Sequence, residues 1–221
     1  MNPAELVTRH TVYRAVVGSR AQGLSGPDSD TDRRGVYLPP TPEYWGLDKP
    51  PDHVDGPDPE LFSWELERCC VLALVANPTV WECLWSPLVE IVTPVGEELL
   101  ALRGSFLSLR AYDSYARYAT SQLRKLDAGG PPRPKHAVHL VRTLLTGRTV
   151  LAEGVVPVDV GPHRQALLDI RHGQMPWPRI REWTTRLAAD LTEARATSPL
   201  PPSPDRARVD DFLRRARRSA L

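Results

Sequence analysis

The sequence predicts an α+β fold, with a small sheet and its helices over residues 1–94 and a helical domain over residues 95–221. Three observations predict it. Short apolar runs bounded by Gly, Ser and Pro alternate with helical patterns up to about residue 94, and beyond that point the patterns are helical only. The 23 prolines gather mainly at residues 39–59, 131–134 and 199–204, between elements rather than as a repeat. With 41% hydrophobic and 25% charged residues, the 221-residue chain has the composition of a globular protein with a real core in one or two domains.

Residues 1–10 read as a short helix leading into the apolar run Val12 to Val17, a buried strand interrupted by Tyr13 and Arg14. That strand ends in Gly18-Ser19, a pair that turns tightly into a helix start, and a cluster of amides beside a hydroxyl suits a phosphate. After a Gly/Ser/Pro loop, Asp30 and Asp32 precede a second strand, Val36-Tyr37-Leu38. Carboxylates two residues apart on extended backbone point the same way, and they repel unless a divalent cation lies between them. Facing a Gly-Ser turn, such a pair makes a site for a metal-bound nucleoside triphosphate. Two other readings fail. A calcium loop begun at Asp28 needs Gly sixth and Glu twelfth, where Arg33 and Pro39 stand, and no Gly-Lys-Ser/Thr follows the strand as a P-loop requires.

The ordered set of strand, Gly-Ser, short helix, Asp-x-Asp and strand resembles the DNA polymerase β nucleotidyltransferase superfamily. Its longer form, Gly18-Ser19-Arg20-Ala21-x-Gly23 through Ser29-Asp30-x-Asp32-x-Arg34-Gly35-Val36-Tyr37, is similar to the RlaP-type family associated with RNA repair. Residues 77–85 and 135–142 strengthen the likeness. The resemblance implies a polymerase-β-like core with a small mixed sheet, closed by the helical domain.

Residues 39–59 read as a long Pro- and Asp-rich loop that either binds something or is pinned to the surface by Trp45. Next come a third strand, Glu60 to Trp64, and a helix, Glu65 to Ala76. The family takes a third acidic residue from such a strand. That implies Glu60, with Asp58 as the other choice, although Asp is commoner at this position in the family. Asn77-Pro78 stops the helix and Thr79 caps the next, where Trp81, Leu84 and Trp85 read as core and Glu82 has no assigned role.

Further helices are expected at 97–103, 109–126 (ended by Gly129-Gly130-Pro131-Pro132), 135–150, 167–173, 178–195 and 209–221. In the 135–150 helix, Ala137, Val141, Leu144 and Leu145 form the apolar stripe, and Lys135, His139, Arg142 and Thr146 line the opposite face. His is an unusual choice for a merely solubilising face, and the order Lys-His-x-x-His-Leu-x-Arg matches the family. These side chains are therefore read as contacts to triphosphate or nucleic-acid backbone, with a plain solvated face as the alternative. The arginines of the last helix are read as a solvated face.

A net charge of +1 excludes a strong global field for nucleic acid, so RNA as a partner would need a local patch. Cys69, Cys70 and Cys83 lack disulfide or zinc spacing and read as reduced core thiols. No leader pattern and no membrane-length apolar run are seen, so the expectation is a cytoplasmic protein with no membrane partner. The resemblance implies nucleotidyl transfer from a nucleoside triphosphate, ATP by preference, with Mg²⁺ or Mn²⁺ held by Asp30, Asp32 and Glu60 or Asp58. Gly18, Ser19, Arg20, Lys135, His139 and Arg142 would contact the nucleotide. The acceptor is an RNA end in repair or, alternatively, a protein or small molecule. A nucleotide- or RNA-binding module without turnover is the remaining reading.

Overall fold

The computed structural model describes residues 2–127 and 133–221. The chain forms two compact units. The first runs to Ala21, resumes over Ser25–Phe106 and ends with Pro204–Leu221; the second holds Gln22–Leu24 and Leu107–Ser203. The expected boundary at residue 94 therefore falls inside the first unit, which also takes the last helix.

The first unit opens with α1 (Pro3–His10), capped by the Asn2 side chain on the Ala4 amide at 3.0 Å. Then follow β1 (Thr11–Val16), α2 (Gly18–Ala21) and β2 (Arg33–Tyr37), the last starting three residues earlier than its apolar run. The segment read as a long loop is structured in part: a 3-10 turn spans Thr41–Tyr44, and β3 (His53–Asp55) pairs antiparallel with β4 (Leu61–Glu65). Trp45 does not pin it, being 71% exposed. Instead Thr41 is tied to the last helix, its amide donating to the Ala220 carbonyl at 2.9 Å and its hydroxyl to that of Arg217 at 2.5 Å.

The helices α3 (Leu66–Leu74), α4 (Pro78–Leu84) and α5 (Pro94–Ala101) and the edge strand β5 (Val89–Val92) complete the N-terminal part of this unit. The sheet order is β3-β4-β2-β1-β5, antiparallel throughout except that β2 and β4 run parallel. It is the expected small mixed sheet. The parallel register matches Arg33 with Leu61, so the starts of β2 and β4 lie beside each other at the end where β1 finishes. Leu6, Val7, Tyr37, Val54 and Leu61 form one buried cluster. Elsewhere in the core, buried Tyr13 donates its hydroxyl to the Cys83 carbonyl at 2.8 Å and Trp81 donates Nε1–H to the Ala73 carbonyl at 3.0 Å, so α4 is bonded to the sheet and to α3.

The last helix, α10 (Arg206–Ser219), completes the same unit. Its Val209, Phe212 and Ala216 are buried, and Arg217 makes an ion pair with Glu65 at 2.8 Å. The Arg217 guanidinium also lies 4.1 Å from the centre of the Tyr44 ring. Arg214, Arg215 and Arg218 are exposed, as a solvated arginine face requires, and Arg217 alone of the four departs from that reading. Glu65 is not the first residue of α3 but its N-cap, accepting from the Glu67 and Arg68 amides at 2.8 and 3.4 Å. Burial lifts the Glu65 carboxyl above its ordinary value, against the downward pull of Arg217.

The second unit contains α6 (Arg110–Asp127), α7 (Pro134–Glu153), α8 (Arg164–Arg171) and α9 (Trp177–Ala196). The Gly129-Gly130-Pro131-Pro132 stop expected after α6 lies outside the described residues, save that α6 itself runs to Asp127. The helix α7 is central, packing against α6, α8 and α9 and burying Ala137, Val141, Leu144 and Leu145 as the periodicity requires. Gly147 permits the α6 contact, since a Cβ there would meet the Tyr115 ring at 2.9 Å. Residues 22–24 enter this unit through their carbonyls: Gln22 accepts from the Val160 amide at 3.1 Å, Gly23 from Arg164 at 2.7 Å and Leu24 from Arg171 at 2.6 Å. Among the described residues, no helix is long and apolar enough to cross a membrane.

Candidate active site

The site is built where β1 gives way to α2. Gly18 takes φ +66°, a conformation that an L side chain rarely adopts, and it faces the Asp32 carboxylate. A Cβ on Gly18 would stand 2.3 Å from Asp32 Oδ2 and 3.3 Å from Asp32 Cβ. The absent side chain is thus a cradle that the carboxylate fills. Extended pairing carries Asp32 there, because the Val17 amide donates to the Asp32 carbonyl at 2.9 Å as the ladder between β1 and β2 continues past β1.

Asp30 is exposed and Asp32 half-buried. Arg20, on α2, reaches across to their loop, donating from one terminal nitrogen to the Ser29 carbonyl at 2.7 Å and from Nε to the Asp30 carbonyl at 3.2 Å. Its guanidinium therefore fastens the loop that carries the Asp-x-Asp pair to the helix that carries Ser19. Ser29 closes the preceding turn by accepting from the Gly26 amide at 2.9 Å.

The third carboxylate is not assembled with the pair. Glu60 stands just before β4 rather than in it, at φ +58°, and is exposed; its carbonyl accepts from the Arg33 amide at 2.8 Å. Parallel pairing thus brings the Glu60 backbone beside the residue that follows Asp32. Asp58 is engaged by Arg14 at 3.3 Å, in a network where Glu90 meets Arg14 at 2.9 Å and Arg33 at 3.0 Å. Among the described residues, no group of three or more His, Cys, Asp or Glu side chains is arranged to hold a metal ion. By chemical type Asp30 and Asp32 are donors of the kind magnesium takes, one or two carboxylates together with several waters and substrate phosphates.

Lys135, His139 and Arg142 lie in the second unit, on α7. Lys135 is exposed, whereas His139 and Arg142 are half-buried and approach each other at 3.4 Å, with the His139 ring 6.1 Å from that of Tyr118.

Sequence reasoning gave Glu82 no role, yet its carboxylate accepts from the Gly18 amide at 3.1 Å. A signal was available. Glu82 is the acidic residue of a seven-residue helix whose Val80, Trp81, Cys83 and Leu84 are all buried, so its charge is presented from a fixed base.

The profile of the RlaP family, described as the RNA repair pathway DNA polymerase beta family, matches residues 4–215. The chain belongs to that family. It is also similar to the uncharacterized protein YcgL of Bacillus subtilis (strain 168), with 28% identity over 152 residues. That alignment covers 66% of this chain and 58% of the relative, so the chain spans less than two thirds of that protein's length.

Proposed function

We propose, from membership of the RlaP family, that this protein is a metal-dependent nucleotidyltransferase that moves AMP from ATP onto a hydroxyl at an RNA end during repair. The observation that carries the reading is the fit of the Asp32 carboxylate into the space over Gly18, which unites the Gly-Ser turn with the Asp-x-Asp pair.

In this reading the Ser19 hydroxyl and the amides that follow it hold the phosphates, and Asp30 and Asp32 hold Mg²⁺ or Mn²⁺. The cation supplies charge neutralisation on the phosphates and acidifies the attacking hydroxyl. Arg20 keeps the carboxylate loop against α2, which fixes the distance between phosphate turn and acidic pair. The acceptor oxygen bonds to the α-phosphorus in line as the bond to the bridging oxygen breaks, and pyrophosphate departs. Glu60, beside the start of β2, is the group proposed to take the acceptor's proton, since Asp58 is held by Arg14. The face of α7 bearing Lys135, His139 and Arg142 is proposed, separately, to contact phosphate groups of the nucleotide or of nucleic acid.

The test is incubation with each α-³²P-labelled nucleoside triphosphate and Mg²⁺, with RNA, with protein extract and with neither. Label on RNA from ATP is the expected result, and the Asp30→Asn, Asp32→Asn double variant should abolish it. Label on protein or a small molecule would reassign the acceptor. Transfer undiminished in the double variant would refute the mechanism.

A further inference from the structure

The Gly18 residue is held from two sides. Its Cα faces Asp32, and its amide proton is taken by Glu82 from α4 at 3.1 Å. The Glu82 carboxylate is not an incidental surface charge. The helix that presents it has Asn77 as its cap, bonded to the Thr79 and Val80 amides at 3.0 and 3.1 Å. The residues on either side of Glu82, Trp81 and Cys83, are fully buried. Trp81 donates to Ala73 at 3.0 Å, Cys83 Sγ lies 3.7 Å from the Arg34 carbonyl, and the Cys83 carbonyl accepts from Tyr13 at 2.8 Å. Arg34 is on β2, two residues after Asp32, and Tyr13 is on β1, so α4 is referenced to both strands that frame the turn.

A left-handed Gly has a broad choice of backbone conformations, and nothing in its own side chain selects the one observed. The selection here is external. A carboxylate oxygen fixed on a rigid helix accepts the Gly18 amide in only a narrow range of orientations of the Val17–Gly18 peptide plane, and that plane carries the Cα that faces Asp32. A second consequence is that the Gly18 amide is occupied, so phosphate recognition by the turn begins at Ser19.

We infer that Glu82 is a positioning residue of the nucleotidyl-transfer site, holding the Val17–Gly18 peptide that carries the Gly18 Cα against which the Asp32 carboxylate seats. The inference rests on the function proposed above. It acts through a hydrogen bond to backbone and not through charge on the substrate, and this separates it from a metal-ligand or proton-transfer role.

The experiment compares Glu82→Ala with Glu82→Gln, the amide oxygen of Gln being able to accept from Gly18 without the charge. Loss of a hydrogen bond to a charged group corresponds to a fall of about 10- to 100-fold, so Glu82→Ala should lower kcat by that factor. Glu82→Gln should stay within about threefold of the parent protein. The direct readout is the ¹⁵N–¹H resonance of Gly18, which should move upfield and lose hydrogen-exchange protection in Glu82→Ala and keep both in Glu82→Gln. Equal loss of activity in the two variants would overturn the inference in favour of a role for the charge. A silent Glu82→Ala would overturn it outright while the Asp30→Asn, Asp32→Asn variant remains inactive. Activity persisting in that double variant would instead refute the underlying function.

Discussion

Replacing Gly18 by Ala isolates the contact on which the site is built. At φ +66° an Ala residue incurs about 1–2 kcal/mol for left-handed backbone. The new Cβ would lie 2.3 Å from Asp32 Oδ2, whereas ordinary contact begins near 3.4 Å, so the carboxylate must withdraw by about 1 Å. A displacement of that size at a reacting centre costs roughly 100-fold in rate. Gly154 supplies the control, since it has φ +68° and a Cβ there would meet only Leu200 Cδ2, at 3.5 Å. Gly18→Ala and Gly154→Ala should therefore lose a comparable 1–2 kcal/mol of stability by thermal unfolding. Only the former should lose transfer, by about two orders of magnitude in kcat/KM at a temperature where both are folded. Equal transfer activity in the two variants would show that the Gly18–Asp32 contact has no part in catalysis.

Arg217→Ala should destabilise the first unit by about 3 kcal/mol, because it strands the Glu65 carboxylate, whose side chain is 6% exposed. Arg215→Ala, which breaks a pair to Glu98 with both side chains more than half exposed, should cost under about 0.5 kcal/mol by the same melting measurement. Alkaline pH should weaken the fold. Burial raises the Tyr13, Tyr37 and Tyr44 hydroxyls and the Cys69 and Cys83 thiols, and it pushes Cys70 up to about 12. These groups stay protonated in the folded chain while the unfolded chain releases its protons. Stability should thus hold below pH 9 and then fall by up to about 1.4 kcal/mol per pH unit for each group ionised. Chemical denaturation midpoints from pH 8 to 10.5 measure this, and a flat profile would contradict the burial. The same burial predicts that iodoacetamide at pH 8 labels none of the three cysteines until the chain unfolds.

The parts of the fold visible in the sequence were those whose signal is local. The run from Val12 to Val17, the Asn77-Pro78 stop and the apolar stripe of α7 each follow from periodicity or from a single capping residue. The meeting of Gly18 with Asp32 also follows from local order, since a strand, a turn and an antiparallel strand return the chain to its start. What escaped depends on pairing across the sheet. Val89–Val92 is short, largely exposed and confined to an edge, so it carries no alternation to read. His53–Asp55 is a strand only because β4 is beside it. The uncertainty between Glu60 and Asp58 has the same origin, because the parallel register that places Glu60 next to β2 is a tertiary fact. The sequence puts Glu65 inside a helix because an N-cap Glu followed by an apolar run looks like a first helical turn. Its partner Arg217 lies too far along the chain for any window to connect them.

The return of α10 to the first unit has a consequence for how the protein is made. The sheet, the Gly-Ser turn and the acidic pair are all synthesised within the first half of the chain, yet the Glu65 carboxylate that ends β4 lacks its Arg217 partner until α10 emerges. The second unit, apart from three residues, is continuous in sequence and can mature first. A ribosome that terminates before α10 would release a chain with the complete set of proposed catalytic residues on an unfinished scaffold. Premature termination should therefore yield an inert, protease-sensitive product rather than an unregulated active fragment.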